Sequence, residues 1–213
     1  MHIPSRQTEK QRVILYNYDM IGNQMVNAGA LHQMLKPYKA HLITGHTHYN
    51  LNIVFDDNLM EHNTAAVCGT WWKADICLDG TPRGYGVYEV NDNDVKWYYK
   101  SSGYPKEHQF RSYPVGASKE HPSDIIANVW NWDKLWKVEW LEDGQLMGNM
   151  TRYTGLDPFA SVVCSDREKM VYTWITPRPT QHMFRATPKN KDAHVTVKVT
   201  DRFGKEYIQT INP

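Results

Sequence analysis

Two histidines one residue apart, in Gly45-His46-Thr47-His48, are the residues of this chain best suited to chemistry. Neutral imidazole is the commonest nitrogen ligand of a divalent metal, and two so close in sequence can serve one ion or an adjacent pair. Gly45 lets the backbone turn with no Cβ in the way. Taken alone, a His-x-His run suits a turn with exposed histidines equally well. A third histidine stands in Met1-His2-Ile3-Pro4, ahead of a proline that takes the chain out of regular structure. Trp71 and Trp72, beside Cys68-Gly69, either line a substrate cleft near the histidines or point to opposite faces of a strand. Arg83 suits a contact to a phosphate oxygen or a plain surface turn.

These residues need elements to hold them. The apolar run 41–44 reads as a strand, so the histidine pair lies at its carboxyl end, where open α/β sheets place their sites. Upstream, 13–16 reads as another strand. Ala28, Leu31 and Leu35 recur at helical steps over 27–35, and Pro37 ends that helix. Strand, helix, strand is part of an α/β layer. From 51 onward helical periodicity disappears. Short β-branched or aromatic runs at 51–55, 63–67, 86–90 and 95–100 alternate with turn clusters such as Asp56-Asp57-Asn58 and Asp79-Gly80-Thr81-Pro82. The cluster Asn91-Asp92-Asn93-Asp94 predicts a hairpin. Residues 109–122, with Pro114, Gly116 and Pro122, read as a linker. Beyond it, 125–132, 137–142, 145–153, 181–186, 195–200 and 207–211 read as the strands of a small β-sandwich. Trp130, Trp132, Trp136 and Trp140 belong either to its core or to a sugar-stacking platform.

Composition excludes several classes. The 213 residues suit one domain or two small ones, and 41% hydrophobic with 12% aromatic residues can fill a core. Lys and Arg number 24 against 23 Asp and Glu, with no basic run, which argues against a grip on nucleic-acid backbone. No stretch approaches the roughly 18 apolar residues of a membrane span, and no basic-then-apolar leader is legible. Cys68, Cys77 and Cys164 are too few for a disulfide framework or a thiolate zinc site; Cys68 and Cys77 pair only if a hairpin joins them.

The turn His2-Ile3-Pro4 followed by Gly45-His46-Thr47-His48 resembles the last two metal-binding blocks of the calcineurin-like metallophosphoesterases. Gly69-Thr70-Trp71-Trp72, Asp79-Gly80-Thr81-Pro82-Arg83-Gly84-Tyr85 and Val199-Thr200-Asp201-Arg202-Phe203-Gly204 resemble a branch of that family, mostly from Bacteroidetes, whose core precedes a β-rich C-terminal domain. The resemblance covers essentially the whole chain. It implies a mainly β fold with a small α/β part: a truncated α/β metallophosphoesterase core over 1–113, then a β-sandwich-like C-terminal domain over 117–213, with an alternative boundary near 67. For the parent protein it implies metal-dependent phosphoester hydrolysis, as a phosphatase or phosphodiesterase. Two divalent ions (manganese, iron or zinc) about 3.5–4 Å apart would polarise the phosphoryl group and supply a hydroxide. His2 and His46 would ligate one ion and His48 the other, with Trp71, Trp72 and Arg83 facing the substrate. A periplasmic or cell-envelope location is implied as well.

The sequence also departs from that pattern. The earlier blocks, Asp-x-His, Gly-Asp-x-x-Asp and Gly-Asn-His-Asp/Glu, are not found. Gly22-Asn23-Gln24 shares two letters with the third but follows His2, out of order, and Asp19, Asp56 and Asp57 read as loop acids. Three imidazoles without carboxylates make half a site, and no catalytic residue is assigned. With only Met1 ahead of it, His2 lacks the strand that should hold it and is expected to fray. The chain therefore reads as a fragment, inactive alone and completed by a missing N-terminal segment or a complementing chain, possibly as an oligomer. The rival reading is a glycan- or envelope-binding β-sandwich module without catalysis.

Overall fold

The computed structural model describes residues 1–5, 24–190 and 192–211. The strand expected at 13–16, Asp19 and the Gly22-Asn23 pair lie outside the described residues.

Helix α1 spans Ala28–Leu35, with Ala28 buried, and the chain turns away beyond it as Tyr38 N donates to Leu35 O at 2.8 Å. Strands β1 (Ala40–Thr44), β2 (Leu51–Val54) and β3 (Leu59–Asn63) form a small mixed sheet in the order β1-β3-β2. In it β3 runs parallel to β1 and antiparallel to β2. The strand expected at 63–67 lies instead at Leu59–Asn63. As the central strand it is buried along its whole length, although it carries Glu61, His62 and Asn63. The turn before it is fixed by Asp56, whose Oδ1 accepts from the amides of Asn58 and Leu59, both at 2.8 Å.

Strands β4 (Gly84–Asn91) and β5 (Asp94–Ser101) form the expected hairpin, in unbroken register from Gly84↔Ser101 to Asn91↔Asp94. The remaining strands are β6 (Arg111–Tyr113), β7 (Ile125–Asn128), β8 (Lys137–Glu142), β9 (Gln145–Asn149), β10 (Thr151–Gly155), β11 (Thr180–Ala186), β12 (Val195–Thr200) and β13 (Glu206–Ile211). They build two four-stranded sheets, β10-β11-β7-β6 and β13-β12-β8-β9. The run 145–153 is not one strand. It divides at Met150, so that β9 pairs with β8 while β10 pairs with β11 across the sandwich. Residues on β12 alternate between buried Val195, Val197 and Val199 and half-buried Thr196, Lys198 and Thr200, the pattern of a strand with one wet face.

The two sheets share one core. Ile125, Ala127 and Phe184 from the first meet Val138, Trp140, Val197 and Val199 from the second, each large side chain contributing roughly 1.5–3 kcal/mol by leaving water. Trp132 and Trp136 lie in the same cluster, and Trp130 is wholly buried with Ala65, Cys77 and Tyr99. The sugar-stacking alternative for these four tryptophans is thereby corrected, because none offers an exposed face. Helix α2 (Pro158–Ser165) was not expected. Its start follows from Asp157, which accepts from Ala160 N, with Pro158 in the first turn. Cys68, Cys77 and Cys164 are all free thiols. Among the described residues no helix is long and apolar enough to cross a membrane.

Candidate functional site

The site is built at the carboxyl end of β1. Gly45 N donates to His2 O at 3.0 Å and the Met1 nitrogen donates to Ile43 O at 3.1 Å, so the first residues run along the end of that strand. Buried Ser5 donates from its amide to Glu61 Oε1 at 2.8 Å and from its hydroxyl to Glu61 Oε2. Thr44 Oγ1 donates to the same carboxylate at 2.9 Å. A terminus frays when nothing ties it down. Here these bonds tie residues 1–5 to β1 and β3, and the expectation of a loose His2 is corrected.

Of the three expected histidines, His2 and His46 are in contact, and His48 turns to other partners while staying within electrostatic reach of both. His46 Nδ1 lies 3.0 Å from His2 Nε2, with the rings edge to face at 4.9 Å. His48 stacks on Trp71 at 4.8 Å and places Nδ1 3.8 Å from Cys68 Sγ. Burial lowers the His48 pKa, and the neighbouring His46 and His2 lower it further, against an opposing hydrogen bond at Gly69. His48 therefore keeps a neutral ring with a lone pair to offer.

The backbone that carries these side chains is strained. His46 (φ 71°), His48 (φ 58°), Trp71 (φ 48°) and Trp72 (φ 64°) all adopt left-handed conformations, which cost a non-glycine residue roughly 1–2 kcal/mol. The only other such residues among those described are Asp92 and Asp143, both in hairpin turns. Strain of this kind collects where a site demands it. Gly69 (φ +53°) makes the second turn possible, since a Cβ there would sit 2.4 Å from Ala74 O. Trp71 and Trp72 thus occupy consecutive turn positions, and the alternative of opposite strand faces is corrected.

Imidazole nitrogens suit manganese, iron or zinc. A separation of 3.0 Å between His46 Nδ1 and His2 Nε2 matches two nitrogens each about 2.1 Å from one ion at a right angle, as well as it matches a hydrogen bond. Among the described residues no group of three or more His, Cys, Asp or Glu is arranged to hold a metal ion. The nearby Glu61 turns its oxygens to Ser5 and Thr44. The described residues accordingly furnish nitrogen donors without completing a cage.

An aromatic wall borders the histidines. Trp71 meets Trp174 edge to face at 4.7 Å, and Tyr172 stacks on Trp174 at 5.5 Å. Met170 and Ile175 anchor that segment in a cluster with Leu78 and Cys164. Nothing in the sequence links Tyr172 and Trp174 to Trp71, since only the fold brings them together. Trp72 is the most exposed of the aromatic side chains here, at 74%. Arg83 forms an ion pair with Asp75 at 3.0 Å on the surface.

Two other polar clusters serve the framework. His62 is buried, with Nδ1 donating to Asn52 Oδ1 at 3.0 Å and Nε2 2.9 Å from His41 Nδ1. Burial drives the His62 pKa down to about 3, helped by His41 and Arg202. Asp79, in the turn after the tryptophans, is also buried and accepts from Asn50 N at 2.9 Å and Thr81 Oγ1 at 2.8 Å.

Residues 61–207 match the family described as the C terminal of calcineurin-like phosphoesterase. Neither the curated proteins nor the solved structures yield a match.

Proposed function

The chain belongs to the family of the C-terminal part of calcineurin-like phosphoesterase, and from that premise we propose that it forms the histidine-bearing corner of a metal-dependent phosphoester hydrolase. The observation that supports this reading is the contact between His2 and His46 at one strand end, with His48 within electrostatic reach of both and with His46 and His48 on left-handed backbone. A divalent ion in such an enzyme supplies Lewis acidity toward the phosphoryl oxygens and a hydroxide at neutral pH. The work of this chain is to present ring nitrogens: His2 and His46 for one ion, His48 for another, with Gly69 shaping the turn that carries Trp71 and Trp72. The carboxylates of the site would come from a further segment or a complementing chain. Trp71, Trp72 and Arg83 are proposed on the substrate side.

Calorimetric titration with manganese or zinc tests the reading directly. Replacing His46 by Ala is expected to weaken binding on the order of tenfold or more, with His48→Ala acting in the same direction. Hydrolysis of an aryl phosphate is expected only when the carboxylate-bearing segment is supplied, and to be lost again with His46→Ala. Metal affinity indifferent to both substitutions would remove the basis for the proposal.

A further inference from the structure

We infer that residues 170–175, from the sandwich part of the chain, complete the site as a stacking wall, and that the phosphoester accepted there carries a planar ring, as a nucleobase does. The inference rests on the hydrolase reading above and adds a substrate class to it. Trp71 is its hinge, with one contact to His48 and another to Trp174. A group esterified to a phosphate held beside His48 would have Trp71 next to it, with Trp174 and Tyr172 one and two ring contacts further on.

These rings are presented outward rather than packed away. Trp71, Trp174 and Tyr172 are 37%, 50% and 49% exposed, although a buried indole would stabilise the fold more. They are also held firmly. Met170 and Ile175 on either side are 1% and 0% exposed, and Ile175 N donates to Tyr172 O at 3.1 Å across the turn. Trp71 is fixed by the closed turn at Gly69. At right angles, Trp71 and Trp174 form a corner. Such a corner grips a flat π system by face and edge together. A polyol phosphate has no π face to offer it. Stacking on an aromatic side chain favours a base by about tenfold in affinity.

The test uses the full chain with manganese and three probes: adenosine monophosphate, ribose phosphate and adenosine, followed by calorimetry. Adenosine monophosphate is expected to bind about tenfold tighter than ribose phosphate. Trp174→Ala should erase that advantage, Tyr172→Ala should reduce it, and Trp174→Phe should keep most of it, with far-ultraviolet circular dichroism unchanged throughout. Equal binding of the two phosphates, or an advantage that survives Trp174→Ala, overturns the inference. The hydrolase reading fails separately. If adenosine binds as tightly as its monophosphate and His46→Ala changes neither, the wall stands without a phosphate site beside it. If both phosphates weaken in His46→Ala but bind alike in the unaltered chain, the site stands and the wall does not.

Discussion

At the scale of single residues, His62 shows how strongly this fold controls an imidazole. Its ring is sealed among Trp97, Tyr88 and His41, and its pKa falls from 6.5 to about 3. The unfolded chain takes up a proton near pH 6.5 that the folded chain refuses until about pH 3. The stability tied to His62 is thus complete above pH 6.5 and is lost as pH falls through that window, by about 1.4 kcal/mol per unit. Unfolding free energies measured in urea between pH 7 and 5 are expected to drop more steeply than this, because burial also lowers the His108 pKa to about 4, and His62→Gln should remove up to about 1.4 kcal/mol per unit from the slope even if the variant is less stable throughout. An unchanged slope in the variant would contradict the assignment. His62 was not legible in the sequence, because Glu61-His62-Asn63 looks like a loop until β1 and β2 are known to flank it. The candidate pair His46 and His48 stands out in the sequence because one residue separates them, whereas His2, 44 positions from His46, enters only through the family resemblance. Cys68, Tyr172 and Trp174 were not legible, since their closeness to the site arises only through the fold.

At the scale of elements, α2 carries a local start signal without a legible helical period. Its eight residues are too few for a clear stripe, but Asp157-Pro158 is a start signal in its own right. The Asp157 carboxylate also does more than cap. It accepts from Tyr113 OH at 2.7 Å and from Asn128 Nδ2 at 2.8 Å, both from strands of the neighbouring sheet. Asp157→Ala should therefore cost about 1 kcal/mol for the lost cap and roughly 1–3 kcal/mol more for the stranded partners. An exposed cap would give only the first part. Chemical denaturation of the variant beside Tyr113→Phe separates the two contributions, and a total loss near 1 kcal/mol would show that the buried bonds contribute little. The division of 145–153 into β9 and β10 was hidden for a different reason: its alternation continues through Met150 while the hydrogen-bonding partner changes.

For the molecule as a whole, the question is whether the histidine-bearing part and the sandwich are separable. The sequence suggested a boundary at 113–117, yet β6 on the near side of it pairs with β7. Contacts across the division are mostly buried and polar. Asn50 Nδ2 donates to Trp130 O at 2.6 Å, and Asn52 Nδ2 to Asn131 O at 2.8 Å. Asn128 Nδ2 donates to Asp79 O at 3.1 Å, and His182 Nε2 lies 3.4 Å from Asp79 Oδ2. Parting the two would exchange these bonds for bonds to water, at roughly 0.5–1.5 kcal/mol each, and would expose Trp130. The chain is therefore expected to unfold in one transition, with calorimetric and van't Hoff enthalpies equal. Gly80 is the place to break that unity. Its φ of +84° disfavours any side chain, and a Cβ would stand 2.2 Å from Asp157 Cγ and 2.5 Å from Asn128 Nδ2. Gly80→Ala must push the Asp79 turn off the sandwich, so it should lower the transition temperature and broaden or split the transition. Two transitions in the unaltered chain would show that the parts fold independently. The wall of Trp174 and Tyr172 would then be a loose neighbour of the histidines rather than part of their site.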